Sequence, residues 1–514
     1  MNKGSPSPAH RRELEMNASG AAAAAVAARS ACAPESNTGV RVRDAAAGLG
    51  DSPSASSGRL IEPGALLRGP IARQLVRLAL PILIVLAVQT LVSIAETYFV
   101  GFLGTDAIAG VTLVFPLLML MTMMSNGGFG GGVSSAIARA VGAGRMEDAD
   151  ALVTHAALVA IVLGGIFSAA ALAGGRALYA ALGGEGAALA NALLYSRLVF
   201  GAAIPIWLVN LLAAALRGAG NVRVPAILTA VGALMTLILS PLLIFGAGPV
   251  PALGVAGAGV AMILYYATAA TALLAYLRSP SAPVRLAGAR IQWRLLKDIL
   301  GVGTLSAIGT LLANVTVVLT TGLVGGFGSA TIAGYGIASR LDYLLIPLLF
   351  ALGTASVTMV GINVGAGQIG RARRIAWIAG ALSAAASGAI GLLAAIRPDV
   401  WLALFSRDPE VIGAGLAYLH RVAPFYAFYG LGMALYFASQ GAGRMLWPVI
   451  AGIARLLVAT LGGWFWIAVL GGTLTGLFWI VAASMVAFGV VLTAGFGADR
   501  FWGRAAESAG GRPS

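Results

Sequence analysis

Twelve apolar runs, each close to the ~20 residues a helix needs to cross the hydrocarbon core of a bilayer, follow one another along this 514-residue chain. They fall at about 75–99, 107–129, 151–174, 190–214, 224–247, 254–277, 299–325, 332–357, 374–396, 412–438, 446–469 and 473–496. Hydrophobic residues make up 59% of the chain and charged residues only 10%, against about 25% charged in a typical soluble domain. That leaves too little polar surface to wet a globule, which excludes a water-soluble enzyme and a wholly disordered chain. Seventy Gly, among abundant Ala, Leu and Val, suit the close backbone approach of helices packed in lipid. The expected fold class is an all-α polytopic membrane protein with twelve transmembrane helices.

The formal net charge is +14. In a soluble protein such an excess points to nucleic acid; in a membrane chain its placement decides. With the N-terminus in the cytoplasm, the inner loops hold thirteen basic residues, among them Arg278, Arg285, Arg290, Arg294, Lys297, Arg371, Arg373 and Arg374, and the outer loops three, Arg176, Arg397 and Arg407. By the positive-inside rule both termini are cytoplasmic, and the charge is an orientation signal with no nucleic-acid partner implied. Cys32 is the only cysteine and His10, His155 and His420 the only histidines, too few ligands for a disulfide, a cysteine zinc site or a metal-centred active site. No metal is expected.

Residues 1–69 differ from the rest, being Ala-, Ser-, Gly- and Pro-rich with eight basic and six acidic residues and no signal-peptide core. They are expected to be a disordered tail, and the same composition would follow from a mis-assigned start codon. The remaining organisation expected is an N-lobe over 70–280, a cytoplasmic linker over 281–298, a C-lobe over 299–497 and a cytoplasmic tail over 498–514.

The membrane part repeats itself. Val100-Gly-Phe-Leu-Gly-Thr-Asp-Ala-Ile-Ala-Gly110 matches Val324-Gly-Gly-Phe-Gly-Ser-Ala-Thr-Ile-Ala-Gly334 at an offset of 224. Val141-Gly-Ala-Gly144 matches Val364-Gly-Ala-Gly367 at 223, as does Gly218-Ala-Gly220 with Pro225 against Gly441-Ala-Gly443 with Pro448. Six spans per repeat is an even number, so two six-helix lobes are expected, related by a pseudo-twofold axis along the membrane normal with the solute path between them.

Several segments carry a resemblance. Leu80-Pro81 through Glu96-Thr-Tyr-Phe-Val-Gly-Phe-Leu-Gly104, the loops Val141-Gly-Ala-Gly-Arg145 and Asn363-Val-Gly-Ala-Gly367, Leu216-Arg-Gly-Ala-Gly-Asn221 with Pro225, and Gly254-Val-Ala-Gly-Ala-Gly259 together resemble the multidrug and toxic compound extrusion (MATE) family over about residues 71–497. The resemblance implies a monomeric antiporter of a bacterial inner membrane. Such a protein exports organic compounds, often cationic and amphipathic, in exchange for H⁺ or Na⁺ and needs no cofactor. It also implies that Glu96 is the ion-coupling acid, with Thr236 and Ser240 of the fifth span beside it.

An ionised side chain inside a transmembrane helix costs from about 3 kcal/mol upward and is a functional candidate by default. Glu96 lies in the outer half of the first span, where the second repeat has Thr320. Desolvation disfavours the charged form of a carboxyl, so one placed in a cavity that alternates between dry and wet can take up and release a proton. The alternative is a solvated rim residue. One carboxylate with hydroxyls, and no Asp or Glu in the seventh or tenth span, favours protons over sodium. Arg340 and Asp342 lie inside the eighth span, where the first repeat has Pro116 and Leu118. Two apart on a helix, they do not face each other. They are candidates for the substrate cavity or for an ion pair across the lobes; the alternative is a local polar network.

Arg197 and the pair His420-Arg421 follow Tyr195 and Tyr418 at matching places near outer ends, as interface anchors would. Arg455 is expected to reach the inner headgroups or to cap carbonyls between helices. The methionines 119, 121, 123 and 124 are expected mainly in packing. Gly127-Gly-Phe-Gly-Gly-Gly132 lacks the strand and Lys of a phosphate-binding loop, so the energy source is an ion gradient. The expected function is therefore proton-coupled export by alternating access; a lipid-linked saccharide flippase or a passive channel are the alternatives, and an intramembrane enzyme is not expected.

Overall fold

The computed structural model describes residues 63–246, 248–498 and 501–502; most of the expected tail 1–69 and of the expected tail 498–514 lies outside the described residues. Among the described residues eleven helices are long and apolar enough to cross a membrane, and one bent pair makes a twelfth. In chain order they are α1 (Ile71–Gly101), α2 (Thr105–Gly142), α3 (Met146–Ala181), α4 (Gly186–Gly201 with Ala203–Gly218), α5 (Arg223–Phe245) and α6 (Val255–Arg278). The second set is α7 (Trp293–Gly325), α8 (Ser329–Gly365), α9 (Ile369–Ile396), α10 (Pro409–Gly441), α11 (Leu446–Ala468) and α12 (Leu474–Gly497). Helices suit these sequences because lipid offers no partner for a backbone N–H or C=O. Every expected run is found, but several helices are longer. α3 has 36 residues and α8 37, more than the hydrocarbon core requires, so their ends project beyond it.

The two repeats align helix by helix. α2 and α8 both end on a glycine with positive φ, Gly144 at 71° and Gly367 at 72°. Arg145 N–H bonds to Ala140 O and Gln368 N–H to Asn363 O, the six-to-one closure of a left-handed cap that only glycine enters without strain. α4 is bent by 46° at Ala202, where Pro205 removes an N–H from the ladder. α10 tightens into a 3₁₀ turn at the matching place, Ala423–Phe425.

The drop in repeat offset from 224 to 223 has a structural cause. α2 has 38 residues where α8 has 37, and α2 contains a π turn at Met124–Phe129. A π turn holds one more residue than the α turn it replaces. The extra residue is absorbed there, so the half of α2 beyond it stays in register with α8.

The first helix of each repeat crosses to the other lobe. Leu75, Leu78, Ala79 and Ile82 of α1 join a core with α8, α9 and α10, while Leu295, Ile299 and Ala307 of α7 join the core of α2, α3 and α4. Contact between the lobes concentrates in the Gly130–Gly142 half of α2 and residues 353–365 of α8, which are almost wholly buried. A Cβ added to Gly142 would sit 2.0 Å from Ile362 O, and one on Gly365 would sit 2.1 Å from Arg139 O. The Thr105–Met123 half of α2 packs instead on α4 of its own lobe. The lobes are thus pressed together at one end of the bundle, the closed end, which carries the loops α2–α3 and α8–α9.

Two boundaries are corrected. The expected tail does not reach 69, because Pro63–Arg68 forms a short helix whose Leu66 is fully buried against the C-lobe. Arg371 donates to the carbonyl of Gly69, and Asn363 to that of Leu66. At the other terminus Phe501 and Trp502 pack on Phe496 at 4.8 and 4.9 Å. The linker is no free tether either. Arg285 N–H donates to Asp150 at 2.7 Å, Gln292 N–H to His155 Nε2 at 2.8 Å, and Arg294 pairs with Asp148 at 2.7 Å.

Candidate functional site

Three polar groupings within the helix bundle bear on function: a pocket between the lobes and one carboxyl in each lobe, Glu96 and Asp342. The pocket opens at the inner boundary of the closed end. Asn126, Gly127, Gly130, Gly131 and Ser134 of α2 and Arg217 of α4 line one side, and Phe350, Thr354 and Val357 of α8 with Phe437 and Gln440 of α10 the other. Its enclosed volume is about 10 Å³, room for about one water. The π turn helps form it, since Asn126 lies within that turn and accepts from Arg217 Nη2 at 2.9 Å. Gln440 donates to Gly127 O at 3.1 Å and to Ser306 Oγ at 2.8 Å.

Hydrogen bonds across the lobes flank this pocket in a symmetric pair. Thr358 of α8 donates to the carbonyl of Arg217 at 2.9 Å, and Ser135 of α2 donates to that of Gln440. At the 223 offset, Ser135 corresponds to Thr358 and Arg217 to Gln440. An ion pair between Arg139 of α2 and Asp298 of α7, 2.6 Å, closes the outermost layer.

In the N-lobe Glu96 of α1 is partly buried. The Ser240 hydroxyl of α5, fully buried, lies within its electrostatic reach but outside hydrogen-bond geometry. Thr236, one turn earlier on the same face, is buried with its hydroxyl bonded to Gly232 O at 2.9 Å. Tyr195 of α4 and Tyr266 of α6 complete the surroundings of the carboxyl. The structure therefore brings Glu96 and Ser240 together and keeps Thr236 at one remove.

In the C-lobe Asp342 of α8 accepts from Tyr418 at 2.7 Å and from Tyr426, both on α10. Both carboxylate oxygens are engaged inside the lobe, and Asp342 does not line the pocket between lobes. This is the local network, in place of the expected ion pair across lobes. Arg340 is exposed and stacks over Phe405 at 5.7 Å. Two residues turn a helix by about 200°, so Arg340 points to the rim and does not line the pocket either. Arg455 lies over Tyr429 at 4.7 Å inside the C-lobe, on the side of Asp342. Arg197 and His420 are exposed, as anchors are.

Sequence reasoning missed Arg217 as a site residue. It counted among the thirteen basic loop residues, yet α4 runs through it to Gly218. Its correspondence with Gln440 in the repeat was the available signal.

Comparison with known proteins decides the family. The MatE family profile matches residues 81–242 and 306–465, one block in each repeat. The chain belongs to the MatE family. It is similar to the FAD transporter of Shewanella oneidensis, 27% identical over 403 residues covering 77% of this chain and 88% of the relative. A probable multidrug resistance protein NorM of Thermotoga maritima is 26% identical over 400 residues, 76% of this chain and 84% of its own. Among solved structures, an outward-facing multidrug resistance MATE family transporter has the same fold, with a TM-score of 0.77 at 23% identity, covering 88% of this chain and all of its own. The MATE chain is accordingly a polytopic membrane transporter with the two-lobed architecture of its family.

Proposed function

We propose that this MATE transporter is a monomeric secondary antiporter of a bacterial inner membrane that exports amphipathic organic compounds in exchange for protons. The basic closed end, with both termini, faces the cytoplasm. The solute is then released at the opposite, outer end as a proton is taken up. The observation that supports the coupling is the placement of Glu96 near the buried Ser240 hydroxyl, which has no hydrogen-bond partner. A carboxyl there, with tyrosines around it and no cation beside it, is held between water and protein, where gain or loss of a proton changes how its own lobe packs. Sodium takes several oxygen ligands; one carboxylate, one free hydroxyl and tyrosines are a sparse set for it.

The test is efflux of a fluorescent dye from proteoliposomes under an imposed ΔpH or an imposed ΔNa⁺. Proton coupling predicts transport with ΔpH alone and its loss in Glu96→Gln. Full gradient-driven efflux by Glu96→Gln would overturn the role of Glu96, and flux insensitive to an uncoupler would return the passive channel. A lipid-linked saccharide flippase calls for a strongly basic central cavity; the pocket here has one lining cation, Arg217. The cationic preference that the family resemblance implies finds no acid in the pocket lining, a point that bears on what the solute carries.

A further inference from the structure

Arg217 and Gln440 sit at the same position of the two repeats and face one pocket from opposite lobes, but their hydrogen bonding differs. The Gln440 amide nitrogen is bonded twice. The Arg217 guanidinium carries five N–H donors and makes one side-chain bond among the described residues, Nη2 to Asn126 Oδ1. Its Nε is sealed from solvent and has no partner. No described carboxylate forms an ion pair with it; the ion pairs at this end involve Arg139, Arg145 and Arg294. The Ser134 hydroxyl, lining the same pocket, is likewise buried without a partner. Gly127, Gly130 and Gly131 leave the wall beside Arg217 without side chains, and a Cβ on Gly131 would strike Gln440 at 2.1 Å.

A desolvated cation without counter-charge is costly and is normally paired. Arg217 has unused donors in the fork geometry that matches a phosphate or carboxylate, next to a free hydroxyl, at the boundary of the two moving lobes. We propose that this pocket is the anion subsite of the transport path, where Arg217 with Ser134 binds a phosphate or carboxylate group of the exported compound. The enclosed space of about 10 Å³ holds about one water, so a charged group enters only as the lobes part at this end. It then takes the charged tip of a solute, whose apolar body stays outside the pocket. The carbonyl of Arg217 is gripped by Thr358 of the other lobe, so opening the closed end separates the anion site from its far wall. The inference rests on the transporter reading and changes its substrate class from a cationic to an anion-bearing amphipath.

The test compares two probes that differ only in a phosphate. Binding of flavin mononucleotide and of riboflavin to the detergent-purified full chain is measured by flavin fluorescence quenching without any ion gradient, so failure of proton coupling does not affect the readout. The wild type is expected to bind flavin mononucleotide about tenfold tighter, as one charge-assisted contact gives. Arg217→Lys keeps a preference, and Arg217→Gln, which installs the residue of the other repeat, abolishes it. Equal affinities in the wild type, or a preference that survives in a monodisperse Arg217→Gln protein, would overturn the site. Competition by adenosine monophosphate or by short-chain phosphatidic acid then separates a solute-borne phosphate from a lipid headgroup. Either competitor supports the site; competition by neither overturns it.

Discussion

Ala138 and Gly361 occupy the same position of the two repeats and pack against each other, so that the pseudo-twofold axis passes between them. A Cβ on Gly361 would lie 2.6 Å from that of Ala138, closer than two carbons can approach. A symmetric sequence could place glycine at both positions, but not alanine. Gly361→Ala is expected to destabilise the closed end by about 1–3 kcal/mol, the usual cost of overpacking, and to favour the state open at that end. The double variant Ala138→Gly/Gly361→Ala transposes the pair and should restore closure. Melting temperature and thiol labelling of a Ser134→Cys reporter, with Cys32 replaced, would show both effects. A double variant no better than Gly361→Ala would remove the axial contact from the explanation.

The two lobes use repeat-equivalent tyrosines around acids that are not equivalent. Tyr195 faces Glu96 of α1 and Tyr418 faces Asp342 of α8, while the counterparts of the acids are Thr320 and Leu118. Both oxygens of Asp342 accept from tyrosines of α10, which ties α8 to α10. Asp342→Asn leaves an oxygen for one hydroxyl only and is expected to cost about 1–3 kcal/mol, with the substrate profile unchanged. Tyr418→Phe should cost less, because Tyr426 remains. An Asp342→Asn protein of wild-type melting temperature that no longer transports would instead place Asp342 on the solute path.

Hydropathy and repeat spacing made most of this fold legible, and the reason is physical. A bilayer fixes the length and polarity of a span, and duplication fixes which spans correspond. Neither says where a helix ends outside the hydrocarbon. α4 continues through Arg217 and α8 through Asn363 because these turns are buried against the opposite lobe rather than in lipid. A charge there is indistinguishable in sequence from a loop charge. Arg340 and Asp342 were grouped by proximity in sequence, although helical geometry sends them apart, one to Phe405 at the rim and the other to Tyr418. That Glu96 lies near Ser240 of α5 is not readable from periodicity; only the resemblance put the first and fifth spans side by side.

The linker between the lobes is held through His155. Its Nδ1–H donates to Ala151 O at 2.7 Å and its Nε2 accepts the N–H of Gln292 at 2.8 Å, with the ring almost wholly buried. This pattern sets the neutral Nδ1–H tautomer. His155→Phe fills the space but offers no acceptor, leaving a backbone donor unsatisfied at about 1–3 kcal/mol. Limited proteolysis within 279–292 should become faster, while His155→Gln, which can accept at a similar reach, should lie between. Unchanged cleavage in His155→Phe would mean that Asp150, Asp148 and Thr154, whose hydroxyl donates to Ala287 O, hold the linker without it.

The π turn makes the most discriminating prediction, because it separates register from chemistry. Deleting one residue from a transmembrane helix normally rotates everything beyond it by about 100°, and in α8, which has no spare residue, that would turn the buried half away from α2. α2 carries one residue more than α8, lodged in Met124–Phe129. Deleting Gly127 there should convert the π turn to α and preserve the contacts of Gly130–Gly142 with the other lobe. The variant is expected to insert and to retain most of its thermal stability, whereas deletion of Phe350 from the corresponding stretch of α8 should abolish folding. What the shortened α2 loses is the placement of Asn126 against Arg217 and of the carbonyl that Gln440 reaches. Transport should therefore fall while folding survives, measured as proteoliposome efflux beside melting temperature. If both deletions unfold the protein alike, the π turn does not absorb the extra residue of the first repeat.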